Sequence, residues 1–194
     1  MATTSDGLLA DLLAQARAGD RAALDRLFAL CRNYVAVLAQ ARLESWLQGK
    51  VDASDLVQQT LLEAYRGFPQ FQGGTSGEWL AWLRRILDRN AADYVRHYYG
   101  TDKRDVAREV PLDGPLPGGG DTPSQELLRK ERELLVADAL ARLPDDYRTV
   151  LILRNLQRLS FDEVARRMGR SRPAAQMLWL RAVRKLRECG ELAL

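Results

Sequence analysis

Ser160-Phe-Asp-Glu-Val-Ala-Arg-Arg-Met-Gly169, continued by Arg170-Ser-Arg-Pro-Ala-Ala-Gln176 and a basic run to Glu188, is the stretch on which the fold turns. Ser160 and Glu163 have the spacing of a capping box, which satisfies the free N–H groups at the start of a helix. Val164, Ala165 and Met168 form its inward side, and Gly169 stands where a left-handed residue stops a helix. Ser171 caps a second helix with Pro173 in its first turn, expected to run to about Glu188. A short capped helix, a glycine turn and a longer basic helix make a helix-turn-helix, whose second helix fits the major groove of duplex DNA. Ala165 suits the close crossing of the two helices.

The charge supports that reading once it is located. Residues 1–97 carry 11 basic and 11 acidic side chains, and residues 98–125 carry 3 and 5. Between Arg154 and Arg187 there are ten basic residues against Asp162 and Glu163, a net +8 in a chain whose total is +3. A solvated helix face mixes signs, whereas a concentration of one sign marks a polyanion site. Arg170, Ser171, Arg172 and Gln176 stand at the N-terminal end of the second helix, which reaches base edges; arginine pairs with guanine and glutamine with adenine. Arg181, Arg184 and Lys185 lie further along, placed for phosphates.

Working outward, nearly all of the remaining chain reads as helix. Asp20 caps a helix with apolar residues at three- and four-residue spacing from Leu24 to Leu38. Asp52 and Asp55 open the next, closed by Gly67 and Pro69. Thr75-Ser-Gly-Glu78 is a capping box for a helix expected to reach about Tyr98. No stretch alternates with period two, so no sheet is expected. Residues 100–122 change character: Pro111–Gly120 reads PLDGPLPGGG, which neither donates freely nor orders cheaply. The expectation is an all-α protein: a helical domain over 1–99, a flexible linker over 100–122 with net negative charge, and a helix-turn-helix domain over 123–194. Thr122-Pro-Ser-Gln125 supplies the start of the second domain.

Composition narrows the function. A 46% hydrophobic fraction belongs to a globular chain. No apolar run has the length of a membrane span, so a cytoplasmic protein without membrane insertion is expected. Cys31 and Cys189 are too far apart in sequence to suggest a metal knuckle, and His97 is the only histidine; no metal site and no cofactor are expected. No nucleophile stands with a base and no phosphate-cradling glycine loop is present, which argues against an enzyme.

Two further stretches resemble one family. Asp52-Ala-Ser-Asp-Leu-Val-Gln-Gln-Thr60, the aromatic Phe71, and the helix containing Trp79-Leu-Ala-Trp82, Ile86, Asn90 and Asp93 resemble the first domain of extracytoplasmic-function sigma factors. Leu140-Ala-Arg-Leu-Pro-Asp-Asp-Tyr147, the Leu159–Ser171 stretch and Leu180-Arg-Ala-Val-Arg-Lys-Leu-Arg187 resemble the second. The resemblance implies an alternative sigma factor that binds core RNA polymerase and directs it to promoter DNA, with an anti-sigma factor as a further candidate partner. It implies that Asp52, Asp55, Leu56, Gln58, Gln59 and Leu62 face the polymerase clamp. It further implies −10 DNA contacts by Phe71, Arg84, Arg85, Arg89, Asn90, Arg96 and Tyr98, with stacking and cationic side chains holding melted DNA. Trp79 and Trp82 are read as core. The set Arg170, Ser171, Arg172, Gln176, Arg181, Arg184 and Lys185 is assigned to the −35 element.

The chain departs from the family at Met177-Leu178-Trp179, where many members have a serine and an arginine. An apolar triplet there is expected to shift reading toward Arg172 and Gln176, or to give part of that face to a protein. Two rival functions stand beside the sigma reading. A stand-alone helix-turn-helix regulator explains the basic C-terminal part but not the D-L-V-Q helix. An all-helical adaptor leaves the +8 segment unexplained.

Overall fold

The computed structural model describes residues 5–46, 52–99 and 123–191. The expected linker, 100–122, lies outside the described residues, and so does Thr122 with its expected cap. The described chain is helical throughout: α1 (Ser5–Arg17), α2 (Arg21–Trp46), α3 (Ala53–Gly67), α4 (Ser76–Tyr99), α5 (Pro123–Ala141), α6 (Asp145–Leu151), α7 (Phe161–Arg167) and α8 (Arg172–Glu191). A 3-10 turn at Phe68–Gln70 separates α3 from the loop that leads into α4.

Local chemistry sets the helix starts. Asp20 accepts the N–H groups of Ala22 and Ala23 at 2.8 and 3.1 Å. The box at the head of α4 forms in both directions: Glu78 N–H donates to the Thr75 hydroxyl at 3.2 Å, and Thr75 N–H donates back to the Glu78 carboxylate at 3.0 Å. At the head of α7 only half of the expected box forms. Glu163 N–H reaches Ser160 Oγ at 3.2 Å, while the Glu163 carboxylate turns to Arg166 and Arg167.

The long helix α2 is the hub, touching α1, α3, α4 and α5. Leu27, Cys31 and Val35, four residues apart, form its fully buried edge. Leu27 and Val35 each contribute roughly 1.5–3 kcal/mol on burial. The same helix joins the two halves of the chain. Asn33 donates to the Asp138 carboxylate of α5 at 2.8 Å, and Gln157 donates to the Ala41 carbonyl at 2.7 Å.

The approach to the helix-turn-helix departs from regular helix. Ile152–Leu156 widens into a π-turn, and Arg158 follows at φ 56°, an uncommon backbone for a residue with a Cβ. Gly169 takes φ 62°, the left-handed conformation the sequence requires there, and Arg170 N–H closes the turn on Ala165 O at 2.9 Å. Ala165 and Ala175 are buried where α7 crosses α8. Helix α8 continues to Glu191, three residues beyond its expected end.

Candidate nucleic-acid and polymerase interfaces

Helix α8 presents a defined outward side. Ala175 and Ala182, seven residues apart, are fully buried. On a helix of 3.6 residues per turn the side opposite them holds Pro173, Met177, Leu180 and Arg184. Arg181, Lys185 and Arg187 flank that line and are exposed. Arg170, Ser171 and Arg172 are exposed at the start of the helix, while Gln176 is half-buried on its flank. Arg170 pairs with Asp146, and Arg172 lies 3.7 Å from Asp162. Both arginines expected to read bases therefore stand beside a carboxylate. Lys185 bonds Glu188 at 2.9 Å, which raises its ammonium pKa.

The triplet Met177-Leu178-Trp179 is not one apolar face, because three successive helical residues diverge by about 100° each. Only Met177 is exposed. Leu178 is half-buried, and Trp179 turns back to donate its indole N–H to Asn155 at 2.9 Å and meet Phe161 edge-on at 5.8 Å. Leu180, absent from the sequence-based set, joins Met177 instead. The i, i+7 pair of alanines was the signal that could have oriented the helix.

Helix α3 carries the expected polar stripe. Asp55, Gln58, Gln59 and Leu62 are exposed and share one side through three- and four-residue spacing. Asp52 caps the helix by accepting Ser54 N–H at 2.8 Å, and that backbone bond holds its carboxyl below the usual range. Leu56, expected on the same surface, is fully buried. It points to the core because it lies on the side of the helix that packs on α2 and α4. Beside the stripe, a groove of about 1080 Å³ runs between α2 and α3, floored by Phe28, Ala36, Val57 and Leu61 and edged by Leu62 and Tyr65.

The loop into α4 is built on aromatic packing. Phe71 is half-buried among Trp79, Trp82 and Phe68, at centroid distances of 5.4, 5.0 and 6.4 Å. Trp79 is fully buried, as expected, and Trp82 is half-buried. Gly74 and Thr75 N–H groups and the Thr75 hydroxyl hold the Glu78 carboxyl below its usual range. Arg17 of α1 donates to the Gly73 carbonyl at 2.8 Å.

Along α4, Arg85, Arg89 and Arg96 are exposed at i, i+4 and i+11, which places them on one side as a basic track. Arg89 pairs with Glu63 of α3 and Arg96 with Asp93. Asn90, expected among the DNA contacts, is 2% exposed and donates to Thr60 at 3.3 Å. It faces the α3–α4 packing, where a buried amide must find a partner. Arg84 leaves the track as well, turning to Tyr34 and to Glu133 of α5. Tyr98 lies in α4, its side chain outside those described. Among the described residues no group of acidic, cysteine or histidine side chains is placed to hold a metal, and no helix is long and apolar enough to cross a membrane.

Residues 21–99 match the family model for Sigma-70 region 2, spanning α2 to α4, and residues 127–186 match that for Sigma-70, region 4. The chain belongs to the sigma-70 family. Its similarity to curated proteins falls in the extracytoplasmic-function group of that family. It is 28% identical over 172 residues to the ECF RNA polymerase sigma-E factor of Haemophilus influenzae, covering 79% of this chain and 80% of that protein. It is 26% identical over 161 residues to the RNA polymerase sigma-H factor of Pseudomonas aeruginosa, covering 79% of each. Among solved structures, CnrH in complex with the cytosolic domain of CnrY is similar at 24% identity and a TM-score of 0.39, over 93% of this chain and 96% of that one. Membership makes this sigma-70 chain a DNA-binding protein of transcription initiation.

Proposed function

We infer that this sigma-family chain docks on core RNA polymerase through α3 and directs it to promoters, reading the −10 element with α4 and the −35 element with α8. The observation that carries this reading is the coexistence of two unlike surfaces on one chain. Helix α8 offers cations in excess on its exposed side, suited to duplex phosphate. Helix α3 offers Asp55, Gln58, Gln59 and Leu62, a mixed polar and apolar stripe suited to a protein. A stand-alone DNA-binding regulator has no use for the second. The Arg85–Arg89–Arg96 track and the aromatic loop above it supply cationic and stacking groups for a melted strand, where extruding a base costs a few kcal/mol. RNA synthesis itself is then the polymerase's chemistry, carried out in the cytoplasm. An anti-sigma factor is a further candidate partner in the same reading.

The test is association with core enzyme. Asp55→Arg combined with Gln59→Ala alters two exposed side chains, so helical content by circular dichroism should stay unchanged. Removing one polar group from an interface costs ~1–3 kcal/mol, so the pair should weaken co-purification with core polymerase. Undiminished co-purification of the double variant would remove α3 from the interface. Specific duplex binding by the free chain, with no association with core enzyme, would favour the stand-alone regulator.

A further inference from the structure

Met177 and Leu180 are 51% and 53% exposed, and they occupy the middle of the outward side of α8. Exposed large apolar residues in such a position are unlike the scattered ones of an ordinary surface, because cations border them: Arg181, Arg184 and Lys185 on the same helix, with Arg170 and Arg172 at its start. A partner that fits must be anionic at its edges and apolar at its centre. The major groove of DNA has that form, with phosphates along both rims and thymine C5-methyl groups on its floor. A helix from a protein partner would offer a continuous apolar side without the anionic rims, so charge complementarity favours DNA.

Resting on the reading of α8 as the −35 helix, we propose that Met177, with Leu180 beside it, reads thymine methyl groups in the −35 duplex. Neither side chain can donate or accept a strong hydrogen bond. Cytosine at the same place carries only a hydrogen at C5 where thymine carries its methyl group, so it would give up the apolar contact. Methionine has an unbranched thioether chain that adapts to the depth of the groove. Of the arginines that would otherwise select guanine, Arg170 is bonded to Asp146 and must leave it before it can reach a base, and Arg172 has the Asp162 carboxylate 3.7 Å away as a competitor. Apolar reading requires no such exchange. Specificity at the centre of the helix is thus for thymine, while Arg181, Arg184 and Lys185 further along set affinity.

Uracil in place of thymine removes one methyl group and nothing else. The full chain, assembled with core polymerase, selects a preferred −35 duplex from a randomised library. Each thymine of that duplex is then replaced by uracil in turn, and binding is measured with the parent chain, Met177→Ala and Leu180→Ala. A methyl-sized group withdrawn from an apolar environment corresponds to about fourfold in affinity. One or two uracil positions should therefore weaken binding about three- to fivefold, and the penalty at one of them should vanish in Met177→Ala. Both side chains are half exposed, so the variants should keep their helical content. The proposal is overturned if uracil is tolerated at every position, if the selected duplex has no thymine, or if every penalty survives in both variants. Unchanged DNA selection by Met177→Ala, together with weaker binding to a protein partner, would assign the patch to a protein. Absence of any duplex preference at the −35 position, with core binding intact, would instead refute the reading of α8 beneath the proposal.

Discussion

Arg84 donates to the Glu133 carboxylate at 3.0 Å and to the Tyr34 hydroxyl at 2.6 Å, so a residue of α4 is tied to α5 from a position 49 residues away in sequence. Tyr34 completes the triangle by donating to Glu133 at 3.4 Å. Burial raises the Tyr34 hydroxyl pKa above its ordinary value, so it stays a protonated donor even in alkaline solution. About 28% of each ionic side chain is still open to water, which screens the pair. Glu133→Ala should cost about 1 kcal/mol in urea denaturation. The cycle with Arg84→Ala should show coupling of about 0.5–1 kcal/mol. Strictly additive effects would mean the triangle contributes nothing to holding the two halves together.

The two ends of α8 should give different signatures on DNA. Arg184→Ala should weaken binding on every promoter alike and lower the salt slope by about one unit for the phosphate contact removed. Arg172→Ala should act mainly on sequence preference, and by less than the ~1–3 kcal/mol of a full bidentate contact, because Asp162 competes for the guanidinium. Titration of holoenzyme binding against potassium chloride separates the two. A steep salt slope retained in Arg184→Ala would detach that residue from phosphate.

Helix starts were legible in the sequence because a cap is a local affair. Asp20, Asp52, Thr75 with Glu78, Ser160, Ser171 and Gly169 all act within four residues of themselves, and the structure puts each where its spacing placed it. What distant packing decides could not be read the same way. Asn90 is polar and stands in a basic helix, yet Thr60 on a neighbouring helix takes it into the core. Leu56 and Leu62 look alike in sequence, and only the position of α2 separates the buried one from the exposed one. Arg84 is diverted by a glutamate of the other half. The π-turn at Ile152–Leu156 has no short-range signature at all.

The buried thiol supplies a chemical test of the α2 packing. Burial pushes Cys31 up to about 12, against the opposing effect of the Trp79 indole N–H that it accepts at 3.2 Å. The thiolate is the reactive form, so Cys31 should resist alkylation at pH 8 in the folded chain and react only on unfolding. Cys189, half-buried near the end of α8, should label first. Peptide mapping after a timed iodoacetamide pulse distinguishes the two sites; early labelling of Cys31 would show that α2 opens readily.

Gly73 has a steric task. A Cβ built there would lie 2.8 Å from the Phe71 ring Cε2 and 2.9 Å from Glu78 Cβ, closer than real side chains approach. Gly73→Ala should therefore push Phe71 away from Trp79 and Trp82, shifting tryptophan emission and costing about 1–3 kcal/mol. Promoter opening, followed by permanganate reactivity of unpaired thymines, should fall while duplex binding at −35 is kept. Equal loss of both would mean that the loop serves stability rather than strand opening.

The hydrogen bond from Arg17 to the Gly73 carbonyl reaches across 56 residues of sequence. It makes α1 a strut for a loop to which it does not belong, bracing from outside a turn that its own capping box braces from within. Arg17, the last residue of α1, therefore bears on the setting of Phe71, and its loss would register that mechanical link as a change in promoter opening.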